Sequence, residues 1–186
     1  MVKKWKWGIL FSGDNLTLDE TVQYARDAEA AGADSLWTTE LGRDAFVPLA
    51  AMGAACNRVR LGTGVATYAR PPAMTEISAM SMAEMIGERF ILGLGTAPPM
   101  WNENWHQLKV TKPKTRMREY VEAIKLMWQS NPTNSISYNG DIINIQDYRR
   151  IMAPPHTPLP IYLAAVQPGM LQLTEELADG LLANLL

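Results

Sequence analysis

Residues 59–72, VRLGTGVATYARPP, begin as a hydrophobic strand and then break into two glycines, an alanine and a pair of prolines. A strand that ends this way can cradle a phosphate, admit a ligand to its backbone, or relax a tight bend. The three readings imply different proteins, and the flanking sequence has to choose among them.

On the amino-terminal side lie two strand–helix pairs. KWGILFS (6–12) reads as a short buried strand, and TLDETVQYARDAEAAG (17–32) as a helix that Thr17 and Glu20 open with a capping box and Gly32 stops. ADSLWTTE (33–40) is strand-like, and DAFVPLAAMGAAC (44–56) is helical with Asp44 as its N-cap. On the carboxyl-terminal side, PPAMTEISAMSMAEMIGE (71–88) starts with proline and closes near Gly87, its methionines reading as core filler, and RFILGLGT (89–96) is a fourth strand. Three crossovers in a row make the strands parallel.

Residues 97–114, APPMWNENWHQLKVTKPK, carry neither a helical nor a strand period and read as a loop insertion. TRMREYVEAIKLMWQ (115–129) resumes as a helix, and ISYNGDIINI (136–145) is a hairpin excursion in which Asn139-Gly140 signals a type I′ turn. After the linker APPHTPLP (153–160), IYLAAV (161–166), PGMLQLTEELADG (168–180) and LLANLL (181–186) add a fifth strand, a fifth helix and a sixth strand.

At 186 residues, 47% hydrophobic and 19% charged, the chain holds one sizeable core and reads as a single domain over 1–186. A net charge of -2 gives no basic footprint, so no nucleic-acid partner is expected. Cys56 is the only cysteine, which excludes an internal disulfide and a cysteine–histidine zinc cluster; no metal is expected, and a reducing cytoplasm fits. The apolar run after Lys6 is too short for a signal sequence and nothing is long enough to span a bilayer, so no membrane partner is expected.

Six strands alternating with five helices leave an open doubly wound sheet or a (β/α)8 barrel. Neither Gly8 and Gly13 nor GLGTAPP (93–99) gives the dinucleotide fingerprint, and no P-loop is present. The strand ends, Phe11-Ser12, Thr38-Thr39-Glu40, Gly64-Val65-Ala66, Gly95-Thr96 and Ala164-Ala165, are small or polar where a barrel does its chemistry, which leaves room for a flat ligand. The expected fold class is therefore α/β, a TIM barrel that is truncated after about six strands. Because such a barrel has eight strands and typically ~250 residues, the functional chain is expected to be longer, and the strands KWGILFS and LLANLL to be open edges. A homodimer is among the assemblies open to it.

Taken together, AEAAGADSLWTTE (28–40), RVRLGTGVAT (58–67), GERFILGLGT (87–96) and PIYLAAVQPGMLQLTEELADG (160–180) resemble, in order and spacing, the luciferase-like flavin-dependent oxidoreductases. That family includes bacterial luciferase, alkane monooxygenases and deazaflavin-dependent reductases, and its fold is a TIM barrel. The resemblance implies an oxidoreductase or monooxygenase that uses reduced FMN or coenzyme F420 on a small-molecule substrate, by hydride transfer or by oxygen insertion.

It also implies a site. In the family the third strand ends in a bulge that backs the middle ring of the flavin, with a non-prolyl cis peptide in the deazaflavin members; this maps onto Gly64-Val65, against the competing reading of a plain barrel bulge at Gly64. Thr39, Ala66, Gly95, Thr96 and Ala165 complete the implied ring site. Gln167-Pro168-Gly169 stands where family members commonly have Gly-Pro-Lys, so the backbone amides of Gly169 and Met170 would carry the anionic end of the cofactor. Glu40 is the candidate for orienting substrate or shuttling a proton, or else it is a loop carboxylate engaged through Arg43 and Asp44. His106, between Trp105 and Gln107, is a second candidate, against its reading as a surface residue. The methylene-tetrahydromethanopterin reductases carry acids where Leu10 stands and near Pro98, so their substrate is not implied. The alternative function is a non-catalytic flavin-binding paralogue or an inactive partner chain.

Overall fold

Strand order in the sheet follows chain order. A computed structural model describes residues 5–12, 15–151 and 158–183. Its elements are β1 (Gly8–Phe11), α1 (Leu18–Ala30), β2 (Ser35–Thr38), α2 (Phe46–Ala55), β3 (Arg60–Thr63), β4 (Ala66–Thr67), α3 (Pro72–Ile86), β5 (Phe90–Gly95), α4 (Pro99–His106), α5 (Pro113–Met127), β6 (Ile136–Asn139), β7 (Asn144–Tyr148), β8 (Ile161–Ala164), α6 (Pro168–Leu177) and β9 (Gly180–Leu182). The main sheet runs β1-β2-β3-β5-β8-β9, with β4 beside β5, and every pair in it is parallel. A doubly wound sheet reverses direction at a switch point. This one never does, and α1, α2, α3, α5 and α6 pack each against the next as one outer layer. It is the winding of a (β/α)8 barrel carried through six strands. Most of the linker and the last three residues of LLANLL lie outside the described residues.

The two faces of the sheet are filled differently. Leu36, Leu61, Phe90, Leu92, Ile161 and Leu163 are fully buried in one cluster with Leu49, Met52, Met117, Tyr120 and Ile124 of the helices. On the inner face, aromatic rings lie over glycines of neighbouring strands. Trp37 pairs with Gly62, and Tyr162 sits between Gly93 and Gly180. A Cβ on Gly62 would stand 2.3 Å from the Trp37 ring, so only glycine lets that ring lie flat across β3. The two rings approach each other at 6.0 Å between centroids.

The two ends of α1 and the start of α2 follow the sequence signals, whereas α6 stops at Leu177 and Gly180, read as its end, opens β9. Thr17 and Glu20 close the capping box, Gly32 takes a φ of 93°, and Asp44 Oδ1 accepts from the amides of Phe46 and Val47 at 2.7 and 3.0 Å. Three further readings need correction. Residues 97–114 are not one loop, because α4 forms inside them: two prolines open it, Trp101 and Trp105 stack one turn apart at 5.1 Å, and buried Asn102 donates from Nδ2 to Thr96 O at 2.7 Å. Two turns are too short to show a helical period. The α3 methionines are not all core, since the buried face is Thr75, Glu76, Ala79, Met82, Ala83 and Ile86, and Met74 and Met85 lie on the outer face. The hairpin forms, but Asn139 pairs with Asn144, so its connection is four residues rather than a two-residue type I′ turn. The buried carboxylate of Glu119 causes this. It accepts from the amides of Asp141, Ile142 and Ile143 at 2.8–2.9 Å, and a Cβ on Gly140 would stand 2.4 Å from it.

Candidate active site

The bulge forecast at residues 59–72 has a plain structural origin. Leu61 faces Phe90 before it and Ala66 faces Leu94 after it, so the third strand carries one residue more than its neighbour. Between these pairings Thr63 substitutes its side chain for ladder bonds, donating from Oγ1 to Gly93 O at 2.6 Å and accepting from Gly93 N–H at 2.9 Å. The Gly64-Val65 peptide is cis. Val65 packs onto Gly95, where a Cβ would stand 2.4 Å from Val65 Cγ2.

The structure brings most of the sequence-predicted residues together around this bulge. Glu40 N–H donates to Val65 O at 3.1 Å, Ala66 and Thr67 pair with Leu94 and Gly95, and Tyr68 N–H donates to Gly95 O at 3.1 Å. Thr39 closes β2 beside β1, its Oγ1 donating to Ser12 O at 3.1 Å. Thr96 is held by Asn102, and Ala164-Ala165 continue the β5–β8 register beside Gly95-Thr96.

Two predicted residues fare differently. Met170 N–H already donates to Gln167 O at 2.9 Å, which leaves the Gly169 amide as the one facing outward at the start of α6. His106 is exposed at the end of α4, and among the described residues it makes no hydrogen bond to the strand-end cluster.

Sequence reasoning missed several participants. Arg70 Nη1 reaches both Glu40 Oε1 at 2.8 Å and Asp44 Oδ2 at 2.7 Å. Burial works against the Arg70 charge, but the two carboxylates outweigh it and raise its pKa further; Asp44 is held below its ordinary value because Arg70 and the α2 amides outweigh the burial that opposes its charge. Thr67 Oγ1 and Asn102 Oδ1, near the end of β5, are buried without a hydrogen-bond partner among the described residues. Lys114 comes from α5 to the start of α6, its Cδ 3.8 Å from a Cβ built on Gly169 and its Nζ donating to Gln172 Oε1 at 3.1 Å. Pairs 26 or more positions apart leave no local pattern to read.

These residues fit a planar redox cofactor. The bulge and the small strand ends give a flat wall, and the two orphaned polar atoms are unfilled partners for groups on a ring edge. Among the described residues, no group of three or more His, Cys, Asp or Glu side chains could hold a metal ion, and no helix is long and apolar enough to cross a membrane.

Comparison with known proteins shows the family and the fold. The family model for luciferase-like monooxygenases matches residues 7–186. The chain is 34% identical, over 164 residues, to a putative coenzyme F420-dependent oxidoreductase of Mycobacterium tuberculosis, covering 82% of this chain and 47% of that protein. It is 32% identical, over 184 residues, to the 5,10-methylenetetrahydromethanopterin reductase of Archaeoglobus fulgidus, covering 96% of this chain and 53% of that protein. Among solved structures, an F420-dependent secondary alcohol dehydrogenase in complex with an F420-acetone adduct superimposes with a TM-score of 0.87 at 18% identity, over 97% of this chain and 58% of that one. The chain spans about half the length of the curated relatives it matches. It belongs to the luciferase-like monooxygenase family.

Proposed function

We propose that the chain carries the cofactor seat of an F420-dependent oxidoreductase acting on a small organic substrate, with reduced FMN as the other cofactor that the seat accepts. The observation that carries this reading is the one-residue bulge at Gly64–Ala66, which presents backbone to a mouth whose other walls are Gly95, Thr96, Ala164 and Ala165. The identity to a relative described as F420-dependent favours the deazaflavin over FMN. When bound, F420 supplies a two-electron hydride carrier, or FMN the capacity to activate oxygen as well.

The residues of this chain would hold and orient that ring. Val65 and Ala66 back it, Thr39 and Thr96 border it, and Thr67 Oγ1 and Asn102 Oδ1 offer polar contacts at its edge. Gln167 and the Gly169 amide, with Lys114 nearby, receive the anionic end, because a helix N-terminus and a cation both favour negative charge. The pterin substrate of the Archaeoglobus relative is not carried over, since Leu10 and Pro98 stand where the resemblance would require acids. Exposed Val47, Met74, Ile77 and Met85 on α2 and α3 support pairing of two copies, and the lone buried Cys56 suits a reducing cytoplasm.

Fluorescence titration with F420 and with FMN tests the reading. Saturable binding of one or both is expected; binding of neither by folded protein, at concentrations up to about 100 μM, overturns it. A protein that binds F420 but never reduces it against a panel of alcohols and aldehydes would instead be a non-catalytic paralogue.

A further inference from the structure

Glu40 is committed on three atoms. Its N–H donates to Val65 O at 3.1 Å, its Oε2 accepts from Thr67 N–H at 2.7 Å, and its Oε1 accepts from Arg70 Nη1 at 2.8 Å. One residue thus grips the bulge on both sides of Ala66. The same Arg70 nitrogen continues to Asp44 Oδ2 at 2.7 Å, and the other oxygen of Asp44 caps α2. The Arg70 guanidinium lies 5.1 Å from the centre of the Phe46 ring, Nη2 donates to Ser78 Oγ of α3 at 3.3 Å, and the Arg70 carbonyl accepts from Tyr120 Oη–H of α5 at 3.0 Å. The bulge is therefore tied to α2 and α3 through a single guanidinium, and to α5 through the backbone carbonyl of the same residue.

Both Glu40 oxygens already accept hydrogen bonds, its side chain is only 11% exposed, and protonating it would break its charge-assisted pair with Arg70, which sets this carboxylate to hold the bulge rather than to trade protons with substrate. We infer that Glu40 is a positioning residue: with Arg70 and Asp44 it sets the Gly64–Ala66 backbone against which the cofactor ring rests. This inference rests on the proposed cofactor seat.

The test is a double-mutant cycle read in F420 affinity by fluorescence titration. Glu40→Ala and Arg70→Ala should each weaken F420 by about tenfold or more, as expected for losing a hydrogen bond to a charged group. The double variant should be no weaker than the worse single, because both act through the same link. Glu40→Gln still offers an oxygen to Thr67 N–H but turns its amide N–H2 toward Arg70, so its affinity should fall between that of unmodified protein and that of Glu40→Ala. Additive losses, a glutamine variant as weak as alanine, or an alanine variant that binds normally would each overturn the inference. Should the alanine variants not fold, Glu40→Asp, too short to span the bulge while keeping its charge, should show the same loss. If unmodified protein binds neither F420 nor FMN, the cofactor reading fails separately. Amide exchange then decides the clasp: Glu40→Ala should speed exchange at Thr67 by about tenfold relative to core amides of α5, and unchanged exchange overturns it.

Discussion

Gly62 and Gly64 both meet Trp37, but at different closeness. A methyl group at Gly62 lands on the flat of the Trp37 indole, which has Ser35 Oγ bonded to its Nε1 at 3.0 Å and little freedom to retreat. Gly62→Ala should cost about 1–3 kcal/mol in denaturant unfolding, the range for overpacking. At Gly64 the nearest atoms are Leu10 Cδ1 at 3.0 Å, the tip of a side chain that is 56% exposed and can swing aside, and Trp37 Cβ at 3.2 Å, against 2.3 Å for the ring contact at Gly62. Gly64→Val should therefore lower stability less than Gly62→Ala while weakening F420 by about tenfold or more, since its methyl groups crowd the bulge. Asp44 should leave a mark on the acid limb of stability. Its folded pKa lies below its ordinary 3.8, so its contribution is complete above that value and is lost as pH falls through the folded pKa. Asp44→Asn should flatten stability against pH below about 4, measured by urea unfolding at pH 2–5. The sequence could point to Glu40, Gly64, Val65 and Gly95, because residue type and place at a strand end are both visible in it. It could not point to Arg70, whose meaning depends on carboxylates 26 and 30 positions away.

Caps and periodicity made five crossover helices and six barrel strands legible, since each is a local pattern that the fold did not override. The exceptions are set from outside the element. The hairpin connection was read from Asn139-Gly140, but Glu119 on α5 dictates it by taking three consecutive amides. Glu119→Ala leaves those amides without an acceptor in a partly buried turn and should cost about 2–5 kcal/mol, with the amides of Asp141, Ile142 and Ile143 losing protection first in hydrogen exchange. Similarly, α4 exists through its Trp101–Trp105 stack and its Asn102 tether to Thr96, neither of which a window of eight residues reveals.

Across the whole molecule, the helical layer and the hairpin are joined by a charged group that neither could bury alone. Glu76 of α3 is within 3.4 Å of Arg150 Nε and accepts from Tyr148 Oη–H, with the glutamate and arginine side chains 1% and 5% exposed. Burial raises the Glu76 pKa even though Tyr148 and Arg150 oppose the shift. Glu76→Ala should destabilise by about 3–5 kcal/mol in thermal or denaturant unfolding, because it removes a buried carboxylate that pairs with Arg150 and accepts from Tyr148. Finally, one-way winding has a consequence for how the chain is made. Through β5, each barrel strand joins the one synthesised about 30 residues before it, so a nascent chain never has to hold a sheet open for a later insertion. The longest wait is for β8, which follows its partner β5 by about 70 residues; closing the larger loop costs only about 0.8 kcal/mol more than closing one of 30. At about 5–20 residues per second, the first four strands can be assembled on the ribosome while the hairpin is still being translated.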